Sequence, residues 1–176
     1  VDVLLNQNIL PGEEKCYDGL VPRSCRQYLG PRYALLQHQF LELRNRTPQR
    51  SGPIEHILVY FGGVDEANLT GRSLEALLLA DCGELRIDVV LPLNGPHRNS
   101  IARLAKRMPG VKLHDNLPSL ANLMARADLG IGAGGASSWE RLCLGLPTFI
   151  VTLSENQVRI ARTLQAANLA QWLGHY

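Results

Sequence analysis

Hydrophobic positions along the chain switch repeatedly between the period of a strand and that of a helix. Residues 57–61, ILVYF, form a continuous β-branched and aromatic run, the pattern of a strand covered on both faces. Gly62 and Gly63 end it. Leu69, Leu74, Leu77 and Leu78 then share one helical face, with Asn68 or Thr70 as the expected N-cap. Residues 87–91 predict the next strand. Ser100 opens a helix on which Ile101, Leu104, Ala105 and Met108 recur at helical spacing, until Pro109 and Gly110 stop it. Residues 111–114 give a third strand, and a helix capped by Ser119 turns Leu120, Leu123, Met124 and Ala127 inward. A short fourth strand at 128–131 runs into GAGGASS at 132–138. The helix beyond carries Trp139, Leu142 and Cys143 and ends at Gly145, where glycine supplies a C-terminal stop. Residues 147–153 predict a fifth strand, Ile160, Ala161, Leu164 and Ala167 a last helix, and 170–173 a sixth strand.

Strands followed in turn by helices imply right-handed βαβ crossovers. The expected fold class is therefore α/β, a Rossmann-like doubly wound parallel sheet. Such sheets bind ligands beyond the carboxyl ends of their strands, where the strand order reverses. The region before residue 54 lacks this alternation. It offers a short strand at 3–5, a loop rich in Gly, Pro and Cys, an apolar run at 33–36, and a charged, proline-containing connection at 44–53 that reads as exposed. Residues 1–53 are thus expected to be the end of a preceding domain with its interdomain connection, and 54–176 a Rossmann-like domain. Val1 opens a strand already under way with no initiator methionine, so a longer parent protein is expected.

Composition adds exclusions. At 176 residues, 45% hydrophobic and 19% charged, the chain can bury one sizeable core of the ordinary globular kind. A formal net charge of +2 without a concentrated basic face gives no reason to expect a nucleic-acid partner. No apolar run is long enough to span a bilayer and no signal-peptide pattern is present, which makes a cytoplasmic location the expectation. Cys16, Cys25, Cys82 and Cys143 show no CxxC spacing and no histidine placed as a zinc partner, so they read as reduced structural thiols.

The densest chemical signal is GAGGASSWE at 132–140, where a strand ends, glycines remove the side chains and a helix begins on two serines. Amides at such a turn are unpaired and can lie against a phosphate, which glycine lets approach closely. Ser137 and Ser138 can donate to phosphate oxygens or simply cap the helix. The segment is not a Walker loop, no GxGxxG follows the first strand, and no GxSxG elbow occurs. Glu140, in the first turn, can accept hydrogen bonds from both hydroxyls of a ribose, or merely offset the helix dipole. A second polar cluster, Ser154, Glu155, Asn156 and Gln157, follows the fifth strand and so shares the same sheet edge.

The run ADLGIGAGGASSWERLCLGLPTFIV and the ENQ after it resemble the C-terminal domain of the GT-B superfamily. The likeness extends to the peptidoglycan N-acetylglucosaminyltransferases. It is closer to the UDP-2,4-diacetamido-2,4,6-trideoxy-β-L-altropyranose hydrolases of pseudaminic acid biosynthesis. LLNQN at 4–8, GPRYALL at 30–36 and ILVYFGGVDEANLT at 57–70 support it, the block at 124–147 is the most specific part, and nearly the whole chain is covered. The resemblance implies that 54–176 is a UDP-binding domain and that Glu140 holds the ribose. Gly135, Ala136, Ser137 and Ser138 would meet the diphosphate, with Gly62 and Gly63 in the loop after the domain's first strand. His114 would lie by the uracil, making its contacts through its backbone. Asn156 would stand beside the sugar and the reacting centre, with Gln157 as its neighbour. The implied activity is release of UDP from an amino-sugar nucleotide, without metal or further cofactor. Two departures stand out. The family's catalytic histidine belongs to a glycine-rich motif absent here, and Asn6 replaces the more usual aspartate. A GT-B transferase using a UDP-sugar donor and a non-catalytic UDP-sugar binding module are the alternatives, and one scaffold can host each.

Overall fold

The structure, a computed structural model, describes residues 1–9, 15–80, 84–92, 94–115 and 117–176. Two short strands, β1 (Val3–Asn6) and β2 (Arg26–Leu29), pair in parallel as a small separate sheet. A 3-10 turn (Pro31–Tyr33) and helix α1 (His38–Arg44) lead from it. The main sheet has six strands, β3 (His56–Tyr60), β4 (Arg86–Leu91), β5 (Val111–Asp115), β6 (Leu129–Ala133), β7 (Thr148–Thr152) and β8 (Gln171–His175), all parallel, in the order β5-β4-β3-β6-β7-β8. Between them run α2 (Leu69–Leu79), α3 (Arg98–Ala105), α4 (Ala121–Arg126), α5 (Ser137–Cys143) and α6 (Glu155–Ala166). The chain winds outward from β3 to the edge strand β5. It then returns through α4 to lay β6 on the other side of β3, so the order reverses between β3 and β6. The expected doubly wound parallel sheet, sixth strand included, is the observed fold.

Each face of the sheet has its own core. Ile57, Val59 and Phe61 meet Leu69 and Leu74 of α2 and Ile101 of α3 on one side. Leu58 and Val90 meet Phe40 of α1 and Leu123 and Met124 of α4 on the other. A third cluster joins Trp139, Ile150, Ala161 and Leu164, and fixes α5 and α6 against β7.

Two elements fall outside the sequence expectation. β2 carries mostly exposed side chains and has no alternating pattern to read. α1 buries Phe40 and has no side chain capping its N-terminus. The cap of α2 also differs. Asn68 stands at the N-cap position in a left-handed conformation without a side-chain bond, while the Asp65 carboxylate accepts the Leu69 and Thr70 amides at 2.8 and 3.0 Å. Gly145 stops α5 as expected. With φ +59° it lets its own amide reach the Leu142 carbonyl and that of Leu146 reach Arg141, a Schellman closure. The connection at 44–53 is largely exposed, but Arg50 is not idle. Its guanidinium donates to the carbonyls of Met124, Ala127 and Leu144, groups that the ends of α4 and α5 leave without helical partners. Cys25 is buried and Cys143 half-buried, neither in a disulfide, and Cys82 lies outside the described residues. Among the described residues, no helix is long and apolar enough to cross a membrane.

Candidate functional site

β6, LGIGA, has two unlike faces. Leu129, Ile131 and Ala133 enter the core beneath α2 and α3. Gly130 pairs with Leu58 and Gly132 with Tyr60, so the face toward α5 bears no side chain at all. That bare stripe is occupied by Arg141. A Cβ on Gly130 would stand 3.3 Å from Arg141 Cδ, and one on Gly132 would stand 2.8 Å from Arg141 Nη1 and collide with the Tyr60 carbonyl. Arg141 Nη2 donates to the Ala133 carbonyl (2.7 Å) and to Ser138 Oγ (3.1 Å), and Nη1 donates to Ser137 Oγ (3.3 Å). Its Nε is buried without an acceptor among the described residues. Burial pushes the guanidinium pKa down to about 10, against the pull of Glu140 and Tyr60, so it stays charged at neutral pH.

The glycine turn lies directly above. The Gly134 amide continues the ladder to Val151 at 3.0 Å, and the Ser138 and Trp139 amides close back on Gly135 and Ala136. Among the described residues, the amides of Gly135, Ala136 and Ser137 have no acceptor. Ala136 is exposed and Ser137 half-exposed, whereas Ser138 is buried, with its oxygen committed to Arg141. Glu140 is half-buried. Burial raises its carboxyl pKa and the Arg141 charge partly offsets the rise. Tyr60, across β3, is raised by burial and by Glu140.

The fold brings most of the expected residues to one edge. Gly62 (φ +96°) and Gly63 end β3 beside the turn that ends β6, at the reversal of strand order. Gln157 comes from the first turn of α6. Its Oε1 accepts the Leu153 amide at 2.9 Å, and its Nε2 sits 3.6 Å from the place of a Cβ on Gly135. Asn156 beside it is exposed and accepts a hydrogen bond from the Ser154 hydroxyl. His114 stands apart on the edge strand β5, and its ring is bonded to the buried Asp88, which also binds the buried His56 and the half-exposed Arg126. An open cavity of about 540 Å³, bordered by Phe61, Val64, Glu66, Leu153 and Tyr176, opens at the same edge beside Gly62 and Gly63. Its size suits a small organic ligand. Neither Glu140 nor Ser137 borders it. Sequence reasoning misses Arg141, which reads as an ordinary polar helix residue. The available signal is LGIGAG, whose bare face makes sense only with something bulky lying over it.

This is the α/β, Rossmann-like fold of GT-B C-terminal domains. MurG of Acinetobacter baumannii superposes with a TM-score of 0.65 at 16% identity, over 98% of this chain and 52% of that one. The glycotransferase of kitacinnamycin superposes at 0.57 and 19% identity, over 85% of this chain and 37% of that one. The spore coat polysaccharide biosynthesis protein SpsG of Bacillus subtilis strain 168 is 30% identical over 155 residues, 88% of this chain and 45% of that protein. An uncharacterized protein of Methanocaldococcus jannaschii, MJ1062, is 34% identical over 137 residues, 75% of this chain and 28% of that protein. The chain therefore spans less than half the length of either relative. No protein-family profile matches it.

Proposed function

We propose that residues 54–176 bind the UDP part of a sugar nucleotide, with 1–53 as the connection to a preceding domain, and that the whole protein acts on that sugar nucleotide in polysaccharide biosynthesis. The observation that carries this reading is the pairing of a half-buried carboxylate, Glu140, with the partnerless amides of Gly135, Ala136 and Ser137 on one sheet edge. A carboxylate suits two ribose hydroxyls, and amides suit phosphate oxygens. Gly62 and Gly63 leave room for the ligand between the two loops, Gln157 braces the turn, and His114 lies on the edge strand with its backbone in the ladder with β4 and its ring bonded to Asp88.

In the finer form of the proposal the reaction is hydrolysis. Water forms a bond to the anomeric carbon as the bond to the diphosphate oxygen breaks, the water proton passes to a base outside this chain, and UDP leaves. Asn156 has no useful titration, so it acts by orienting the sugar or phosphate. The alternative is the transferase reading, in which a sugar hydroxyl replaces water, and one scaffold can host either reaction. NMR titration tests the common part. UDP should shift the resonances of 132–140 and 154–157 more than NAD or ATP does. No shifts at millimolar UDP, or shifts confined to 44–53, would remove the nucleotide site. Assaying the protein with its preceding domain for UDP release without acceptor then separates hydrolase from transferase.

A further inference from the structure

Arg141 is 3% exposed and charged, yet every acceptor it has found is neutral: one carbonyl oxygen and two hydroxyl oxygens. Glu140 acts on it electrostatically without forming an ion pair with it. A buried cation so placed is costly unless something offsets it. The chain has nonetheless cleared a path for it, since Gly130 and Gly132 lack the side chains that would fill its place.

We propose that the forked Arg141 guanidinium is the counter-charge and positioning residue for an anionic ligand group on the turn at 134–137, an inference that rests on the nucleotide reading above. Its two arms reach the turn by different routes. Nη1 donates to Ser137 Oγ at 3.3 Å. With that oxygen accepting, the Ser137 hydrogen is turned away from the guanidinium and left to donate outward, beside the partnerless amides. Nη2 ties back the Ala133 carbonyl at 2.7 Å, so the negative end of the last β6 peptide is neutralised just below the turn. The cation itself stays behind the backbone. It therefore attracts a diphosphate without touching it, and its influence falls on charged ligands alone. The fork matters as well as the charge, because Ser137 and Ala133 are met by two separate nitrogens where a lysine has only one.

The test titrates uridine, UMP and UDP by NMR into the unaltered chain and into R141M, R141K and S137A, each first checked for folding by thermal melting. The unaltered chain should prefer UDP to uridine. R141M should cut that preference by about tenfold or more, as expected for loss of a charge-assisted interaction, with uridine affinity within about twofold of the original. R141K should lose part of the preference. S137A should lower it in the unaltered background and add nothing in R141K. If R141M does not fold, R141K and S137A decide. Equal losses of uridine and UDP affinity, an unchanged preference in R141K, or additive effects of S137A and R141K would overturn the inference. Equal binding of uridine and UDP by the unaltered chain would overturn it together with the phosphate half of the nucleotide reading, and binding of neither would overturn that reading whole, whereas a UDP preference that R141K leaves unchanged overturns the inference alone.

Discussion

Glu140 is held in a place that suits its neutral form better than its ionised one. Burial raises its pKa above that of an open carboxyl, with the Arg141 charge pulling partly the other way. A carboxyl raised on folding contributes stability below its unfolded pKa and loses it as pH climbs through the folded value. At pH 7 the ionised group therefore costs the fold something. Glu140→Gln should leave the melting temperature at pH 7 unchanged or higher, with the difference vanishing below roughly pH 4, where the carboxyl is protonated in both states. The same variant should weaken UDP binding about ten- to a hundredfold. A lower melting temperature with unchanged UDP affinity would return Glu140 to a helix-dipole role. Asp88 carries the opposite sign. Burial would raise its carboxyl, but hydrogen bonds from His114, Arg126 and His56 outweigh burial and hold it low. Its stabilisation is present above the unfolded carboxylate pKa and is lost as pH falls through the folded one. Asp88→Asn should cost about 3 kcal/mol at neutral pH, the low end for a broken buried pair because Arg126 is half exposed, and should flatten the acid limb of a melting-temperature profile. An acid limb as steep as before would place the acid sensitivity elsewhere.

Among the elements, β6 is constrained by its neighbours on both faces. Gly132→Ala would press a methyl group against the Tyr60 carbonyl and Arg141, and the backbone of β3 cannot yield cheaply. The expected loss is about 1–3 kcal/mol in chemical denaturation. Gly63→Ala, where a Cβ meets nothing within 4 Å, should stay within about 0.5 kcal/mol. Equal behaviour of the two would mean that the bare face of β6 is not packed as described. This asymmetry also explains what the sequence could tell. Ile57 to Phe61 and the helix stripes at 101–108 and 120–127 are read from period alone, since burial on a fixed face imposes it. β2 and α1 are not, because β2 buries almost nothing and α1 buries a single phenylalanine. At the site, GAGGASS and Glu140 stand out by residue type. Arg141 does not, because its meaning depends on glycines two strand positions apart on a face that only the register with β3 defines.

For the molecule as a whole, the proposal divides labour between this chain and a preceding domain. The isolated chain should bind UDP and release none from a UDP-amino-sugar, since general-base catalysis needs a base within about 3 Å of the water and none is proposed here. In the protein carrying that domain, Asn156→Ala should reduce turnover more than it weakens UDP binding, the signature of an interaction made in the transition state. Robust turnover by the chain alone would end the two-domain scheme, and full turnover by the variant would remove Asn156 from it. The reversal of strand order has a consequence for folding as well. Gly62 and Gly134 end neighbouring strands, although β4, β5 and the α4 crossover separate them along the chain. A chain folded only as far as β5 therefore has no site to offer. A ligand bound there stabilises only the complete sheet, so saturating UDP should slow hydrogen exchange at β5, the edge strand two places from β3, as much as at β6.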